Sequence, residues 1–310
     1  MSRTDTSPAA EQVPLDPADA PSLGTAKPAT ETAYYLAEGP TWDPVRRRLL
    51  WVDIDSGTVL TGRLEGGAIT VEEQWTVPGT AGAVAVSQEG AVVVAGTHRL
   101  HYRDADGTLR SGRELVSGDD RRFNDARPDP TGTMLAGTKG PGPEVLLRID
   151  ADEQVTVVDD DLTLSNGLGW SVDGKRMYSV DTIAQRIFVR DCDPATGATG
   201  PRRLFARIAD GFPDGMAVDA EDHLWVALWG KGCVVRIAPD GALVGRVDVP
   251  APHTSCPGFA GDDLGALVIT TAQEHLDEAA MARHPLSGRL FTFVPGVPGA
   301  PPRLWSGIVR

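Results

Sequence analysis

The stretch that decides the fold reads Gly215-Met216-Ala217-Val218-Asp219, then His223-Leu224-Trp225-Val226-Ala227, then Cys233-Val234-Val235-Arg236-Ile237. Each segment is a short hydrophobic run, and tight turns separate the three runs, as expected for consecutive β-strands. The same order of strand, turn and strand occurs at residues 39–43, 48–53 and 58–64. The unit is therefore a repeated set of short strands.

Six copies of this unit follow one another along the chain. Each copy opens with a glycine or an alanine, at Gly39, Gly82, Ala126, Gly167, Gly215 and Gly258. Consecutive openings are 41 to 48 residues apart. Repeats of about 40 to 50 residues with four short strands each are typical of propeller blades. The sequence predicts an all-β protein, a six-bladed β-propeller with four-stranded antiparallel blades.

The repeat also decides the domain organisation. A length of 310 residues would by itself suggest two domains of about 150 residues, but radial repetition places residues 33–310 in one propeller. Residues 1–32 contain five prolines and no aromatic residue. Such a segment buries too little apolar surface to offset its ordering entropy, so we expect a disordered tail. It also lacks the apolar core of a secretory signal, so we expect a cytoplasmic protein.

The composition excludes several classes of protein. The formal net charge is −14, and because nucleic-acid surfaces need clustered Lys and Arg, we expect no nucleic-acid partner. No apolar run approaches the ~20 residues of a membrane-spanning helix, so we expect no membrane partner. The three cysteines include no CxxC pair, which argues against a disulfide framework and a cysteine-based zinc site. The sequence does not indicate an oligomeric state.

The residues just before the six openings point to a metal site. The innermost strands of a propeller converge on its axis, so these residues surround one opening. They are Glu38, Ala81, Asp125, Asn166, Asp214 and Pro257. Hard divalent cations prefer such carboxylate and amide oxygens. Asn-Gly and Asp-Gly are also favoured turn pairs, so Asn166 and Asp214 could be turn residues alone, but Glu38 has no comparable turn preference. We therefore predict a central metal site.

Four separated motifs resemble those of a known family. They read Ala37-Glu38-Gly39-Pro40, Arg122-Phe123-Asn124-Asp125, Leu164-Ser165-Asn166-Gly167-Leu168-Gly169-Trp170-Ser171 and Pro213-Asp214-Gly215-Met216. Over about residues 34–307 the chain resembles the SMP-30/gluconolactonase/regucalcin family. The resemblance implies a six-bladed propeller with one divalent metal ion on its axis. It also implies hydrolysis of sugar lactones to aldonic acids.

The same resemblance implies roles for five residues. Glu38, Asn166 and Asp214 correspond to the three metal ligands, and Asp214 also corresponds to the general base. Arg122 and Asn124 correspond to the pair that contacts the substrate. Three oxygen ligands suit Ca²⁺, Mg²⁺ or Mn²⁺ and tolerate Zn²⁺ or Fe²⁺, so the sequence leaves the metal's identity open.

One loop departs from the family pattern. Members often carry a longer acidic loop after the Ala-Gly-Thr string of the third blade, where a glutamate meets substrate hydroxyls. Here residues 139–144 read Lys-Gly-Pro-Gly-Pro-Glu, which is short and stiff. Glu144 is a candidate for that role, and we expect an altered substrate pocket. Trp229 and His253 are further candidates to reach this pocket, whereas a nucleophilic role for Cys256 is disfavoured because no His-Asp pair accompanies it.

The favoured function is that of a metal-dependent lactonase, a carboxylic ester hydrolase. A metal with three protein ligands keeps positions open for water and for a substrate oxygen. Asp214 would activate the water, while Arg122 and Asn124 would orient the small-molecule lactone. Two alternatives stay open. The same site could act on a non-sugar lactone, an ester or a phosphotriester, or serve a biosynthetic pathway. The protein could also be a non-catalytic metal-binding propeller, because a fold alone does not settle function.

Overall fold

Short β-strands make up most of the regular secondary structure in the computed structural model, which describes residues 13–307. In chain order they are β1 Ser22–Thr25, β2 Lys27–Pro28, β3 Ala37–Asp43, β4 Arg48–Asp53, β5 Thr58–Glu65, β6 Ala68–Thr76, β7 Ala83–Val86, β8 Val92–Ala95, β9 Leu100–Arg103, β10 Leu109–Ser111, β11 Arg122–Pro128, β12 Met134–Lys139, β13 Glu144–Ile149, β14 Val155–Leu162, β15 Ser165–Trp170, β16 Arg176–Asp181, β17 Arg186–Asp191, β18 Arg203–Arg207, β19 Phe212–Val218, β20 Leu224–Trp229, β21 Cys233–Ile237, β22 Leu243–Asp248, β23 Thr254–Ala260, β24 Ala266–Thr271 and β25 Phe291–Phe293. A 3₁₀ helix spans Pro17–Asp19, and an α-helix, α1, spans Glu278–Arg283. No helix in this part of the chain is long and apolar enough to cross a membrane.

The strands form six sheets, each of which is one blade. Blades 1 to 5 consist of β3–β6, β7–β10, β11–β14, β15–β18 and β19–β22, with consecutive strands paired antiparallel. Blade 6 contains β23, β24 and β25 and takes its fourth strand, β2, from the other end of the chain. The first strands of successive blades contact one another in a closed ring, from β3 through β7, β11, β15, β19 and β23 back to β3. The predicted six-bladed propeller is confirmed.

The structure differs from the predicted disordered tail at residues 13–32. Residues 1–12 of it lie outside the described residues, whereas residues from 13 onward follow the outer edges of several blades. Strand β1 pairs parallel with β22 and gives blade 5 a fifth strand, and β2 pairs with β25. Ala29 then accepts a hydrogen bond from Ile69 of blade 1. The composition argument missed this because the segment is held mainly by backbone hydrogen bonds to open strand edges, with little apolar burial of its own.

Hydrophobic side chains pack between neighbouring blades. Tyr178 and Val180 of β16, for example, are buried together with Met216 and Val218 of β19. Because strands alternate their side chains between two faces, each blade buries both faces against its neighbours. This packing stacks the blades around the axis and brings the starts of β3, β15 and β19 to the same end of it.

A buried aspartate closes the innermost strand of three blades. Asp43, Asp129 and Asp219 each accept backbone N–H groups of the following turn through one carboxylate oxygen. In blade 5 the donors are Glu221, at 2.9 Å, and His223, at 3.0 Å. An aspartate that bonds the backbone two residues on forms an Asx turn, which explains why the repeat so often ends its first strand in Asp.

Candidate functional site

A cavity of about 280 Å³ opens where the innermost strands begin. Its lining includes all five residues for which the sequence predicted a role: Glu38, Arg122, Asn124, Asn166 and Asp214. They come from blades 1, 3, 4 and 5 and are far apart in the sequence. The structure therefore brings the predicted residues together at one end of the propeller axis.

Local irregularity of the innermost strands places these side chains. Five of these strands shift their pairing register at the axial position, as β3 does between Glu38 and Thr41 and β15 between Asn166 and Leu168. A β-bulge re-aims a side chain relative to a regular strand. A Cβ atom on Gly167 would lie 2.5 Å from the carbonyl oxygen of Asp214. Glycine after the axial residue therefore lets neighbouring blades approach closely.

The two axial carboxylates are buried beside each other. Glu38 is 9% exposed and Asp214 is 6% exposed. Burial raises the pKa of Glu38 well above its ordinary value, and the charges of Asp214 and Asp125 raise it further. Burial also raises the pKa of Asp214, again with a contribution from Asp125. The site thus concentrates negative charge in a place where ionised carboxylates are costly without a cation.

The amide of Asn166 completes a donor set for a hard cation. Its Nδ2 donates to the Thr182 hydroxyl at 3.2 Å, and its Oδ1 accepts the Gly167 N–H at 3.2 Å and keeps a second lone pair for a cation. Asn166 also hydrogen-bonds to Asp214, which opposes the rise in the pKa of that carboxyl. Two carboxylates and one amide oxygen, with excess buried negative charge, fit a divalent cation such as Ca²⁺ or Mg²⁺.

Arg122 and Asn124 form a connected pair beside the carboxylates. Arg122 Nη1 donates to Asn124 Oδ1 at 2.8 Å and to the Phe123 carbonyl at 3.0 Å. Asn124 Nδ2 donates to the Ser165 carbonyl at 3.0 Å. Burial lowers the pKa of the Arg122 guanidinium, although the surrounding carboxylates oppose this. Hydrogen bonds within blade 3 and to blade 4 therefore hold the pair in place, as expected for groups that orient a ligand.

Sequence reasoning missed several residues that line the cavity. The polar ones are Lys139, Thr182, Glu274 and His275, and the apolar ones are Leu36, Ile54, Leu164, Ile183 and Phe212. Lys139 is the last residue of β12. In an antiparallel hairpin the second strand ends where the first begins, so the residues that end the second strands were a usable signal for the site.

Of the other pocket candidates, one lines the cavity and three do not. Trp229 lines it, as expected, and stacks on His253 with ring centroids 4.2 Å apart. His253 is not a lining residue but supports that wall, because its Nδ1 lies 2.8 Å from the Glu274 carbonyl. Glu144 is fully buried, pairs with Arg121 and does not line the cavity. Cys256 is also buried, which raises the pKa of its thiol and argues against a nucleophilic role.

A second group of possible ligands lies outside the cavity. Ligand atoms of Asp219, Glu221 and His223 lie within 4.8 Å of one another. The Asp219 carboxylate, however, already accepts the turn N–H groups through Oδ1 and bonds Trp225 and Arg236 through Oδ2. Arg236 also pairs with Glu221. This group is accounted for as the turn that closes the first strand of blade 5.

Comparison with known proteins shows the family. The model of the SMP-30/gluconolactonase/LRE-like region matches residues 36–273. The chain belongs to this family. The resemblance inferred from the four motifs is therefore confirmed.

Individual members of the family align over most of the chain. A pentonolactonase of Haloferax volcanii is 35% identical over 78% of this chain and 83% of its own length. An L-arabinolactonase of Azospirillum brasilense is 33% identical over 86% of this chain and 91% of its own length. The crystal structure of a calcium-binding regucalcin of Agrobacterium tumefaciens superposes with a TM-score of 0.85 at 32% identity, covering 93% of this chain and 99% of that one.

Proposed function

We propose that this member of the SMP-30/gluconolactonase/LRE-like family hydrolyses lactones, with sugar lactones as substrates, and requires one divalent cation. The observation that carries the proposal is the axial cavity. There, two buried carboxylates and an amide oxygen lie beside an arginine–asparagine pair. The names of the pentonolactonase and the L-arabinolactonase support the same reaction and substrate class.

The proposed cation is held by Glu38, Asn166 and Asp214. When bound, such an ion polarises a carbonyl oxygen and lowers the pKa of water, which supplies the electrophilic part of ester hydrolysis. It would also keep both carboxylates ionised, against the burial that raises their pKa values. Ca²⁺ is the first ion to test because the relative from Agrobacterium tumefaciens is calcium-binding. Mg²⁺, Mn²⁺, Zn²⁺ and Fe²⁺ follow.

Asp214 has the position of a general base in this scheme. Its carboxylate accepts the proton of the attacking water, whose oxygen bonds to the lactone carbonyl carbon. The bond between that carbon and the ring oxygen then breaks, and the ring oxygen takes the proton from Asp214 and leaves as a hydroxyl group. The product is the open-chain hydroxy acid. General-base assistance of this kind is worth about 10²- to 10⁴-fold in rate.

Arg122 and Asn124 orient the substrate. Because Arg122 is fixed by Asn124 and by the Phe123 carbonyl, its guanidinium offers its remaining donors in one direction. Donors held in this way bind ring oxygens or hydroxyl groups and place the carbonyl carbon next to the attacking water. Positioning lowers the entropic part of the barrier.

The direct test is acid release from a panel of lactones. Chelated protein is assayed with each divalent ion in turn, and the panel covers pentonolactones, hexonolactones, alkyl lactones and a phosphotriester. We expect acid release from at least one sugar lactone and only with a divalent ion added. Hydrolysis of an alkyl lactone or the phosphotriester alone would overturn the substrate class. Metal binding without any turnover would favour the non-catalytic propeller.

A location in the cytoplasm stays a prediction.

A further inference from the structure

An ion pair crosses the cavity between opposite blades. Lys139 ends β12 in blade 3, and Glu274 lies three residues beyond β24 in blade 6. In the ring of six innermost strands these two blades are three positions apart and therefore face each other across the axis. Lys139 Nζ lies 3.5 Å from Glu274 Oε1, and both residues line the cavity. A ligand that enters the cavity meets this pair.

The Lys139 ammonium has donor capacity to spare. An ammonium has three donors, and its 3.5 Å separation from Glu274 is longer than the ~2.7 to 2.9 Å of a tight charge-assisted hydrogen bond. Its side chain is 35% exposed, whereas that of Glu274 is 12% exposed. The other cationic group of the lining, Arg122, already donates twice through Nη1. Lys139 is thus the cation that a ligand can recruit most readily.

The loop after Lys139 offers no side chain that could bind this ammonium in place of a ligand. Residues 140–143 read Gly-Pro-Gly-Pro and carry no polar side chain. Proline also fixes part of the backbone, so the loop has limited freedom to carry Lys139 away from the cavity. Lys139 and its neighbour across the β11–β12 pair, Arg122, are therefore the cationic side chains that blade 3 presents to a ligand.

The charges of the lining favour an anion once the cation is bound. Glu38, Asp214 and Glu274 contribute three negative charges, and Arg122 and Lys139 contribute two positive ones. A divalent cation changes the formal sum from −1 to +1. Outside the lining, Asp125 adds negative charge beside Glu38 and Asp214, Arg127 partly offsets it, and Asp55 acts on Arg122.

Much of the remaining wall of the cavity is apolar. Ile183 of blade 4 and Phe212 and Trp229 of blade 5 form an apolar side, and Leu36 and Ile54 extend it into blade 1. Burying a charge against apolar side chains is unfavourable. A negatively charged substituent of the substrate is therefore favoured beside the two cationic side chains, and of these Lys139 has the less engaged donors.

We propose that Lys139 is a specificity-determining residue that binds an anionic substituent, such as a carboxylate, on the exocyclic carbon of the lactone. In this structure Glu274 is the partner of Lys139, and the substrate's anionic group would replace it. The 3.5 Å separation makes this a loose ion pair, and Glu274 keeps His275 Nε2 as a neighbour at 3.6 Å, so the exchange gives up little. The inference rests on the proposed lactonase function, but it assigns a substrate class that the metal site alone does not select.

Two lactones that differ in one group test the assignment. D-Glucono-1,4-lactone and D-glucaro-1,4-lactone share the ring and differ at C6, which is a hydroxymethyl group in the first and a carboxylate in the second. For Lys139→Met we expect the ratio of kcat/KM for the carboxylate lactone to that for the neutral lactone to fall about tenfold, mostly through KM. A tenfold change corresponds to about 1.4 kcal/mol. Glu274→Gln removes the competing carboxylate, so we expect the same ratio to rise.

Opposite effects of the two variants separate recognition from a structural role. Loss of the ion pair alone would change both variants in the same direction. The matched control is Lys175→Met, because Lys175 is 70% exposed and pairs with Asp173 away from the cavity. We expect it to leave the ratio unchanged. An unchanged ratio in Lys139→Met, or a shift in the same direction in both cavity variants, would overturn the assignment.

A binding measurement distinguishes failure of this inference from failure of the proposed function. Calorimetry on the Ca²⁺-loaded protein compares D-glucarate with D-gluconate, which differ by the same carboxylate. We expect Lys139→Met to weaken glucarate binding about tenfold more than gluconate binding. If the wild type hydrolyses no lactone of the panel with any ion, the proposed function fails, and the calorimetry still decides the role of Lys139. Equal weakening for both acids, or no binding of glucarate to the wild type, counts against that role.

Discussion

Replacing Glu38 by glutamine isolates the charge of one predicted metal ligand. Glutamine has nearly the same shape, and its oxygen can still accept the 2.8 Å hydrogen bond that the Gly39 N–H donates to Glu38 Oε2. We expect Glu38→Gln to lose the stabilisation that a divalent cation gives to the wild type. In the absence of metal, the same variant should be more stable than the wild type at neutral pH, because it removes a buried negative charge.

The size of both effects follows from linkage and from the length of the chain. A cation at 100 times its dissociation constant stabilises the folded state by about 2.7 kcal/mol. The entropy of unfolding is about 2.1 cal/mol/K per residue, or about 0.6 kcal/mol/K for a domain of about 300 residues. The wild type should therefore gain about 4 °C in Tm on adding the ion. Each unit by which burial raises the pKa of the Glu38 carboxyl disfavours its ionised form by about 1.4 kcal/mol. In the wild type without metal this corresponds to about 2 °C in Tm.

The sign of the pH dependence provides a second check on the chelated wild type. The folded pKa of Glu38 is raised by burial and by Asp214. The folded state therefore binds its proton more tightly than the unfolded state does. The destabilisation is complete above the raised folded pKa and disappears as the pH falls to the unfolded value. We expect the Tm difference between Glu38→Gln and the wild type to shrink as the pH is lowered from 7.5 toward 4.5.

Differential scanning fluorimetry measures these Tm values, with and without Ca²⁺ at 100 times its dissociation constant. The matched control is Glu221→Gln, which makes the same change in the acidic group of Asp219, Glu221 and His223. We expect it to keep the full metal-dependent gain in Tm. The reasoning is refuted if Glu38→Gln keeps that gain, or if Glu221→Gln loses it.

Three further predictions concern catalysis, a turn and ring closure. Asp214→Asn should lower lactone kcat by at least about 10²-fold and leave the circular dichroism spectrum unchanged. Near-normal turnover in the metal-loaded variant would rule out Asp214 as the general base. Asp219→Ala should destabilise the protein by about 3 to 5 kcal/mol in urea unfolding, because Arg236 loses its buried partner, while the metal-dependent gain in Tm persists. Removal of residues 1–30 should lower Tm, because blade 6 loses β2. A Tm equal to that of the full chain would show that this strand does not close the ring.

The sequence was sufficient to predict the blades because the repeat is redundant. Six openings at similar intervals carry the same information, so irregular copies do not hide the period. The axial residues were also predictable, because Glu38, Asn166 and Asp214 occupy one position of that repeat. Bulges in β3, β15 and β19 then bring side chains from that position into one cavity.

Other features could not be read from the repeat. Residues 22–28 join blades 5 and 6 through backbone hydrogen bonds, which composition does not encode. Lys139 and Glu274 come from opposite blades, and only the closed ring places their charges 3.5 Å apart. Glu144 was a candidate from its position in a loop, but Arg121 pairs with it in a buried position away from the cavity.

The central claim is tested most directly by titrating chelated protein with Ca²⁺ while acid release from a sugar lactone is followed. The proposed site binds one ion between Glu38, Asn166 and Asp214. Activity should therefore be absent without metal, rise in proportion to added ion and saturate at one ion per chain. Repeating the titration with Mg²⁺, Mn²⁺, Zn²⁺ and Fe²⁺ should give the same stoichiometry with whichever ions support turnover. Full activity in the chelated protein, or no acid release with any of these ions, would contradict the account.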